Sequence, residues 1–164
     1  MLDCIFLSIA RGWSLYTMSE TLAEFKSTYP VILTVDLQWG DMDALSHINN
    51  VVYFRYFENV RIAYMGRTSL IGNPACGPVL GTTQAKYRRP LTFPDRIHIG
   101  ARVTALHEHG CEHEYAIYSE TQDALTTFGN ARIVIVDART GRKAALTEGM
   151  KAEIETLEGK TFDF

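Results

Sequence analysis

The chain has 164 residues, 46% of them hydrophobic, and a formal net charge of -3 at pH 7. That length suits one domain with a substantial core, and the mildly acidic balance argues against a general nucleic-acid binder, which is usually basic. Three scattered cysteines, Cys4, Cys76 and Cys111, form no C-x-x-C pair; this fits a reducing compartment, the cytoplasm, and argues against a disulfide framework.

Residues 1–10 carry a short apolar run, but Asp3 precedes it and no basic segment or small-x-small cleavage site frames it. It is expected to be neither a signal peptide nor a membrane span. Residues 1–30 read as a lead-in, with a helical turn after Met18. Residues 1–17 either pack as an extra element on the domain or precede a true start at Met18, and the second reading is the expectation. A single domain is expected over 31–160. It opens with a β-branched strand from Val31 to Trp39.

A polar, turn-rich segment follows and runs into a helix from about residue 50 to Gly66. Val51, Val52, Tyr53, Phe54, Tyr56, Phe57, Val60, Ile62, Ala63, Tyr64 and Met65 cover most of its circumference. Arg55, Glu58, Asn59 and Arg61 leave only a narrow polar stripe. A helix apolar nearly all round must be buried on nearly all sides, so the rest of the chain is expected to wrap it. Asn49 or Asn50 suits the N-cap.

After a Gly- and Pro-rich loop (68–78) the pattern changes to strands: 79–89, 96–107, 111–120 and 125–136. Alternation puts Ile97, Ile99, Ala101, Val103 and Ala105 on one face, and His113, Tyr115 and Ile117 on one face of the next strand. Tight turns are expected at His109-Gly110, Gln122-Asp123 and 137–141, with a bulge or bend at Gly129-Asn130. Thr147 caps a short amphipathic helix bearing Met150, Ile154 and Leu157. Strands joined by tight turns form an antiparallel sheet. The expected class is α+β: an antiparallel sheet wrapped around one buried helix, with a short C-terminal helix.

Chemistry concentrates before the long helix. Asp41, Asp43 and His47 lie within ten residues of a helix start that offers unpaired N–H groups and a positive dipole end. Two carboxylates and an imidazole beside such a donor make a constellation that can do chemistry. By residue type alone, turn formation is the favoured reading of both Asp residues. Lys86, Arg88, Arg89 and Arg96 form a basic cluster around Tyr87 and Pro90, suited to phosphate or to guarding a strand edge. The segment His107 to His113 has metal-like spacing, but a polar hairpin turn accounts for it and no metal is expected. Cys76 has no identifiable base beside it and reads as a loop residue.

The stretch from Asp41 to Glu58, Asp-Met-Asp-Ala-Leu-Ser-His-Ile-Asn-Asn-Val-Val-Tyr-Phe-Arg-Tyr-Phe-Glu, resembles the signature of hotdog-fold acyl-CoA thioesterases of the 4-hydroxybenzoyl-CoA thioesterase-like branch. Tyr87 to Asp95 and Ala131 to Arg142 extend the resemblance, which spans about 31–159. It implies the hotdog fold and hydrolysis of an acyl-CoA to free acid and CoA, without a cofactor. It assigns Asp43 as base or nucleophile and the backbone amide near Asn50 as the group polarising the carbonyl. His47 resembles the histidine of related acyl-carrier-protein thioesterases, but Leu45 stands where they have Asn. Asn49, Tyr53, Tyr87, Arg88, Arg89 and Pro90 are the substrate-binding candidates, with the 69–78 loop shaping the acyl pocket. The resemblance also implies a homodimer or homotetramer with the site between subunits. Two other functions fit the same residues: an acyl-thioester hydratase or dehydratase, and a non-catalytic acyl-CoA sensor.

Overall fold

The computed structural model describes residues 21–163; the expectations for residues 1–17 lie outside them. The elements run α1 (Leu22–Thr28), β1 (Val31–Asp36), α2 (Asn50–Met65), β2 (Cys76–Tyr87), β3 (Arg96–His107), β4 (Gly110–Ser119), β5 (Ala124–Asp137) and α3 (Glu148–Glu158). The five strands form one sheet in the order β1-β3-β4-β5-β2, with every neighbouring pair antiparallel. The sheet lies against α2 and forms the hotdog arrangement. Among the described residues, no helix is long and apolar enough to cross a membrane.

The main core lies between α2 and the inner face of the sheet. Tyr53, Phe57, Val60 and Tyr64 of α2 meet Ile99, Ala101 and Val103 of β3, Tyr115 and Ile117 of β4, and Ile133 and Ile135 of β5. Alternation in β3 holds only to Val103. The register shifts between Val103 and Ala105, so Leu106 is buried on the far side of the bulge while Ala105 is only partly covered. A bulge re-phases the two-residue period, which is why Ala105 misses the inner face.

Gly129 departs from expectation. Its pairing with Tyr115 and Ala85 is regular, and the bulge on β5 falls instead at the Ile117/Tyr118 step of its partner. The glycine is needed for closeness: a Cβ there would lie 2.5 Å from Cε2 of Phe57, whose ring stacks on Tyr115 at 5.0 Å. The missing side chain lets the helix seat against the sheet.

The lead-in is more than a turn. Thr21 and Glu24 form a reciprocal capping box that starts α1. α1 packs on the outer face of the sheet, where Phe25 and Tyr29 bury against Ala116, Tyr118, Leu125 and Phe128. Gly100 accommodates the Tyr29 ring, which a Cβ would meet at 2.4 Å.

The strand after the Gly- and Pro-rich loop begins three residues earlier than the pattern suggested. Cys76, Gly77 and Pro78 already pair with Asp137, Val136 and Ile135, so Cys76 sits on a strand and not in a loop. β2 is an edge strand, where proline is tolerated because one row of N–H groups faces away from the sheet.

The long helix is not covered all round. Val52, Tyr53, Tyr56, Phe57, Val60, Tyr64 and Met65 are buried, but Val51 is 68% and Ile62 50% exposed. Arg61, expected on the polar stripe, is buried instead. Its position four residues after Phe57 puts it on the core-facing side, beside Tyr115 and His113 of β4.

Candidate active site

The segment between β1 and α2 folds into a small closed loop. Its base is the Asn49 N–H donating to the Asp41 carbonyl at 2.9 Å, and Met42 and Ile48 form a bridge above it. Next, Asp43 N–H donates to the His47 carbonyl at 2.8 Å, and Ser46 N–H to the Asp43 carbonyl at 3.0 Å. Ser46 turns the tip with φ 61°. The Asp43 carboxylate is oriented from within: Oδ1 accepts from Leu45 N–H at 2.8 Å and His47 N–H at 3.4 Å. Oδ2 has no hydrogen-bond partner among the described residues. This is turn-forming chemistry, and it leaves one carboxylate oxygen available.

Asn49 is the N-cap of α2. Its side-chain oxygen accepts from Val51 N–H at 3.0 Å and its carbonyl from Val52 N–H at 2.9 Å. The Asn50 N–H finds no acceptor among the described residues, so it remains an orphan donor at the positive end of a 16-residue helix.

A third wall comes from the exit of β2. Tyr87 meets the Tyr53 ring edge-on at 4.9 Å, and Arg88 and Arg89 donate their N–H groups to the Thr126 carbonyl at 2.8 and 3.2 Å. Leu91 joins the walls. Its N–H donates to Tyr53 Oη at 3.1 Å and its carbonyl accepts from Ile48 N–H at 2.8 Å. Burial raises the Tyr53 phenol above its usual range, so it stays a neutral acceptor for that N–H.

These walls enclose a pocket of about 310 Å³. Asp43, His47, Ile48, Asn50 and Tyr53 line it from the loop and α2, and Tyr87, Arg88, Arg89 and Pro90 from the exit of β2. Of the catalytic and substrate-binding candidates given by the resemblance, Asn49 is the one absent from the lining, its side chain being committed to the cap; Asp41, Lys86, Arg96 and the 69–78 loop do not line it either. Ile48 and Leu91 had not been singled out. Both contribute through backbone groups or apolar bulk, which carry no chemical signal in a residue string.

The basic cluster does not stay together. Arg96 pairs with Asp36 through two contacts, 2.7 and 3.3 Å, away from the pocket. Arg88 lies over the Phe128 ring at 5.9 Å. The His47 side chain makes no hydrogen bond to the Asp43 carboxylate; the two residues are linked through the main chain.

The histidines of the β3–β4 hairpin diverge. His113 faces the core and is fully buried, whereas His107 pairs with Glu112 at 3.1 Å and His109 with Glu108 at 3.7 Å. Among the described residues no three His, Cys, Asp or Glu side chains converge to hold a metal ion.

A family model described as the thioesterase-like superfamily matches residues 37–154. The chain belongs to that superfamily. It is a thioester hydrolase by membership. A thioesterase from Thermus thermophilus, solved in complex with coenzyme A and Zn, is 28% identical. It covers 81% of this chain and 98% of its own at a TM-score of 0.71. A 1,4-dihydroxy-2-naphthoyl-CoA thioesterase from Synechocystis shares the fold at a TM-score of 0.66, with 13% identity over 76% of this chain and 94% of its own. The uncharacterized protein YsmA of Bacillus subtilis (strain 168) is 25% identical over 82% of this chain and 89% of that protein. In the superfamily frame, the family match starts at Leu37 and so includes the Asp43 loop, α2 and the 87–91 wall.

Proposed function

We propose that the chain hydrolyses the thioester of an acyl-CoA at this pocket, releasing the free acid and CoA. The observation that carries the reading is the juxtaposition of a carboxylate with one unpartnered oxygen and a helix-terminal N–H with no acceptor, both lining one pocket. Asp43 Oδ2 takes a proton from water as the oxygen adds to the acyl carbon, or itself adds to give an anhydride that water then opens. In either route the Asn50 N–H receives the developing oxyanion; a donor of this kind is worth about 3 kcal/mol in the transition state. The tetrahedral intermediate collapses by breaking the C–S bond. The CoA thiolate leaves readily, so no strong general acid is required.

Tyr53, Tyr87 and Pro90 offer flat apolar surface to the substrate, and Arg88 and Arg89 at the rim suit the phosphates of CoA. The coenzyme A bound to the Thermus thioesterase supports CoA as the carrier.

We further infer that two chains associate with β2 at the interface. Among the described residues, β2 is an edge strand with no partner on its outer side and carries exposed Val79 and Leu80, and Val51 and Ile62 of α2 are exposed. An exposed apolar edge of this kind favours pairing with another strand. A monomeric mass by light scattering at micromolar concentration would contradict it.

The test of activity is thiol release from short, medium, long and aromatic acyl-CoAs, with wild type and Asp43→Asn run together. The expected result is turnover that falls by orders of magnitude in the variant. Equal turnover in both proteins would remove Asp43 from the chemistry.

A further inference from the structure

Asp41 stands two residues before the carboxylate assigned above, yet does not line the pocket. Its side chain is bound elsewhere. Oδ1 pairs with Arg55 Nη2 at 2.8 Å and Oδ2 accepts from Tyr56 O–H at 3.4 Å. Arg55 and Tyr56 belong to the second turn of α2. Through its backbone, Asp41 also closes the base of the loop by accepting from Asn49 N–H at 2.9 Å. One residue therefore holds both ends of the loop and fastens them to the second turn of α2. The loop above it is a narrow ladder with two further cross-links, Met42 to Ile48 and Asp43 to His47. A rigid ladder on a fixed base transmits the orientation of that base to its tip.

We propose that Asp41 is a positioning residue. It locks the Asp43 loop onto α2 so that the Asp43 carboxylate and the Asn50 amide address the same carbonyl group. The proposal rests on the catalytic reading above. Two groups attached to separate elements, a loop and a helix, have to be held in one geometry to act on one atom. A misplacement of about 1 Å costs on the order of a hundredfold in rate.

Stability is not the reason for this lock. The Arg55 side chain is over half exposed, and an ion pair of that kind adds little to folding. Tyr56 is buried, and burial together with the neighbouring Asp41 carboxylate pushes its phenol up to about 12, so it stays a neutral donor throughout the working range.

The test has two arms. Amide hydrogen exchange reads the lock without reference to activity. In Asp41→Ala, the Asp43 and Asn49 amides are expected to exchange at least about tenfold faster while β4 core amides are unchanged. Asp41→Asn, which keeps an acceptor for Tyr56 and Arg55, restores part of the protection. Unchanged loop exchange in Asp41→Ala overturns the proposal whatever the enzyme does.

Steady-state acyl-CoA hydrolysis is the second arm. In Asp41→Ala, kcat is expected to fall about ten- to a hundredfold, KM to stay within about twofold, and the acid limb of the kcat profile to keep its midpoint. Loss of that limb would make Asp41 itself the titrating base and overturn the positioning role. Should Asp41→Ala unfold, Arg55→Ala releases the same lock from the exposed side and gives the same split. In a folded pair, the double variant is no slower than Asp41→Ala alone; additive losses count against a shared lock. If Asp43→Asn proves as active as wild type, the catalytic reading fails, and the exchange arm still decides whether Asp41 holds the loop.

Discussion

His113 gives the most direct test of the core. It sits on the inner face of β4, fully buried, with its ring edge-on to Tyr64 at 4.8 Å. Neither ring nitrogen has a hydrogen-bond partner among the described residues. Burial first, and then the Arg61 guanidinium beside it, push the imidazole down to about 3 from its ordinary 6.5. The folded state therefore carries His113 neutral, while the unfolded chain takes up a proton as the pH falls through 6.5. The unfolded state then binds more protons, so stability rises with pH and is lost progressively from about 6.5 downward. Between about pH 7.5 and pH 5, one such group removes about 2 kcal/mol of stability, from the limiting slope of about 1.4 kcal/mol per pH unit. The perturbation is His113→Leu, which removes the titration and keeps an apolar side chain in place. Urea unfolding of both proteins across that range, at one protein concentration, isolates the term as the difference in slope. The wild type is expected to lose about 2 kcal/mol more than the variant, whatever offset the substitution introduces at neutral pH. Parallel curves would refute the reasoning, because they require the folded protein to accept the proton at His113 as easily as the unfolded chain does.

Three further outcomes follow from single contacts. Gly129→Ala puts a Cβ 2.5 Å from Cε2 of Phe57 and 3.1 Å from the Gln84 carbonyl oxygen; a loss of about 1–3 kcal/mol in urea unfolding is expected, and an unchanged midpoint would mean that the helix seats without that glycine. Glu158 accepts from Tyr64 O–H and Val103 N–H, each at 2.6 Å, which ties α3 to α2 and β3. Glu158→Ala leaves both donors unpaired and should cost about 1–3 kcal/mol, with Glu158→Gln milder because its amide oxygen still accepts; equal losses would place the effect elsewhere. Tyr53→Phe removes the acceptor of the Leu91 N–H, with a similar cost of about 1–3 kcal/mol and a fall in acyl-CoA turnover as the 87–91 wall loosens; wild-type kinetics in the variant would detach that bond from the site.

The sheet and its central helix were legible because their signals are periodic. Ile97, Ile99, Ala101 and Val103 face inward as alternation requires, and the Asn49 cap lies where an Asn-Asn pair before an apolar run predicts one. The misreadings have physical causes. Hydropathy treats Arg61 as a surface residue, but helical geometry carries it to the core side with Phe57. Gly129 reads as a bend by residue type, yet its role depends on a ring from a different element, which no local window contains. Lys86, Arg88, Arg89 and Arg96 look like one cluster along the chain, but only Arg88 and Arg89 line the pocket, and a competing carboxylate, Asp36, holds Arg96.

The pocket was legible in its side chains but not in what holds them. Its walls are joined through main-chain groups: the Ile48 N–H to the Leu91 carbonyl, the Leu91 N–H to Tyr53, and the Asn49 N–H to the Asp41 carbonyl. The oxyanion donor proposed here is likewise a backbone N–H. Such groups are common to every residue except proline, so residue identity says nothing of them. What identity does supply are the few side chains that fix the backbone: Asn49 by capping, Asp41 by pairing with Arg55 and Tyr56, and Tyr53 by accepting from Leu91. The motif from Asp41 to Glu58 is therefore dense for a mechanical reason. It encodes the pocket-lining Asp43 and His47 together with the anchors of a backbone donor. Its anchors should tolerate substitution only by residues that keep the same acceptor geometry.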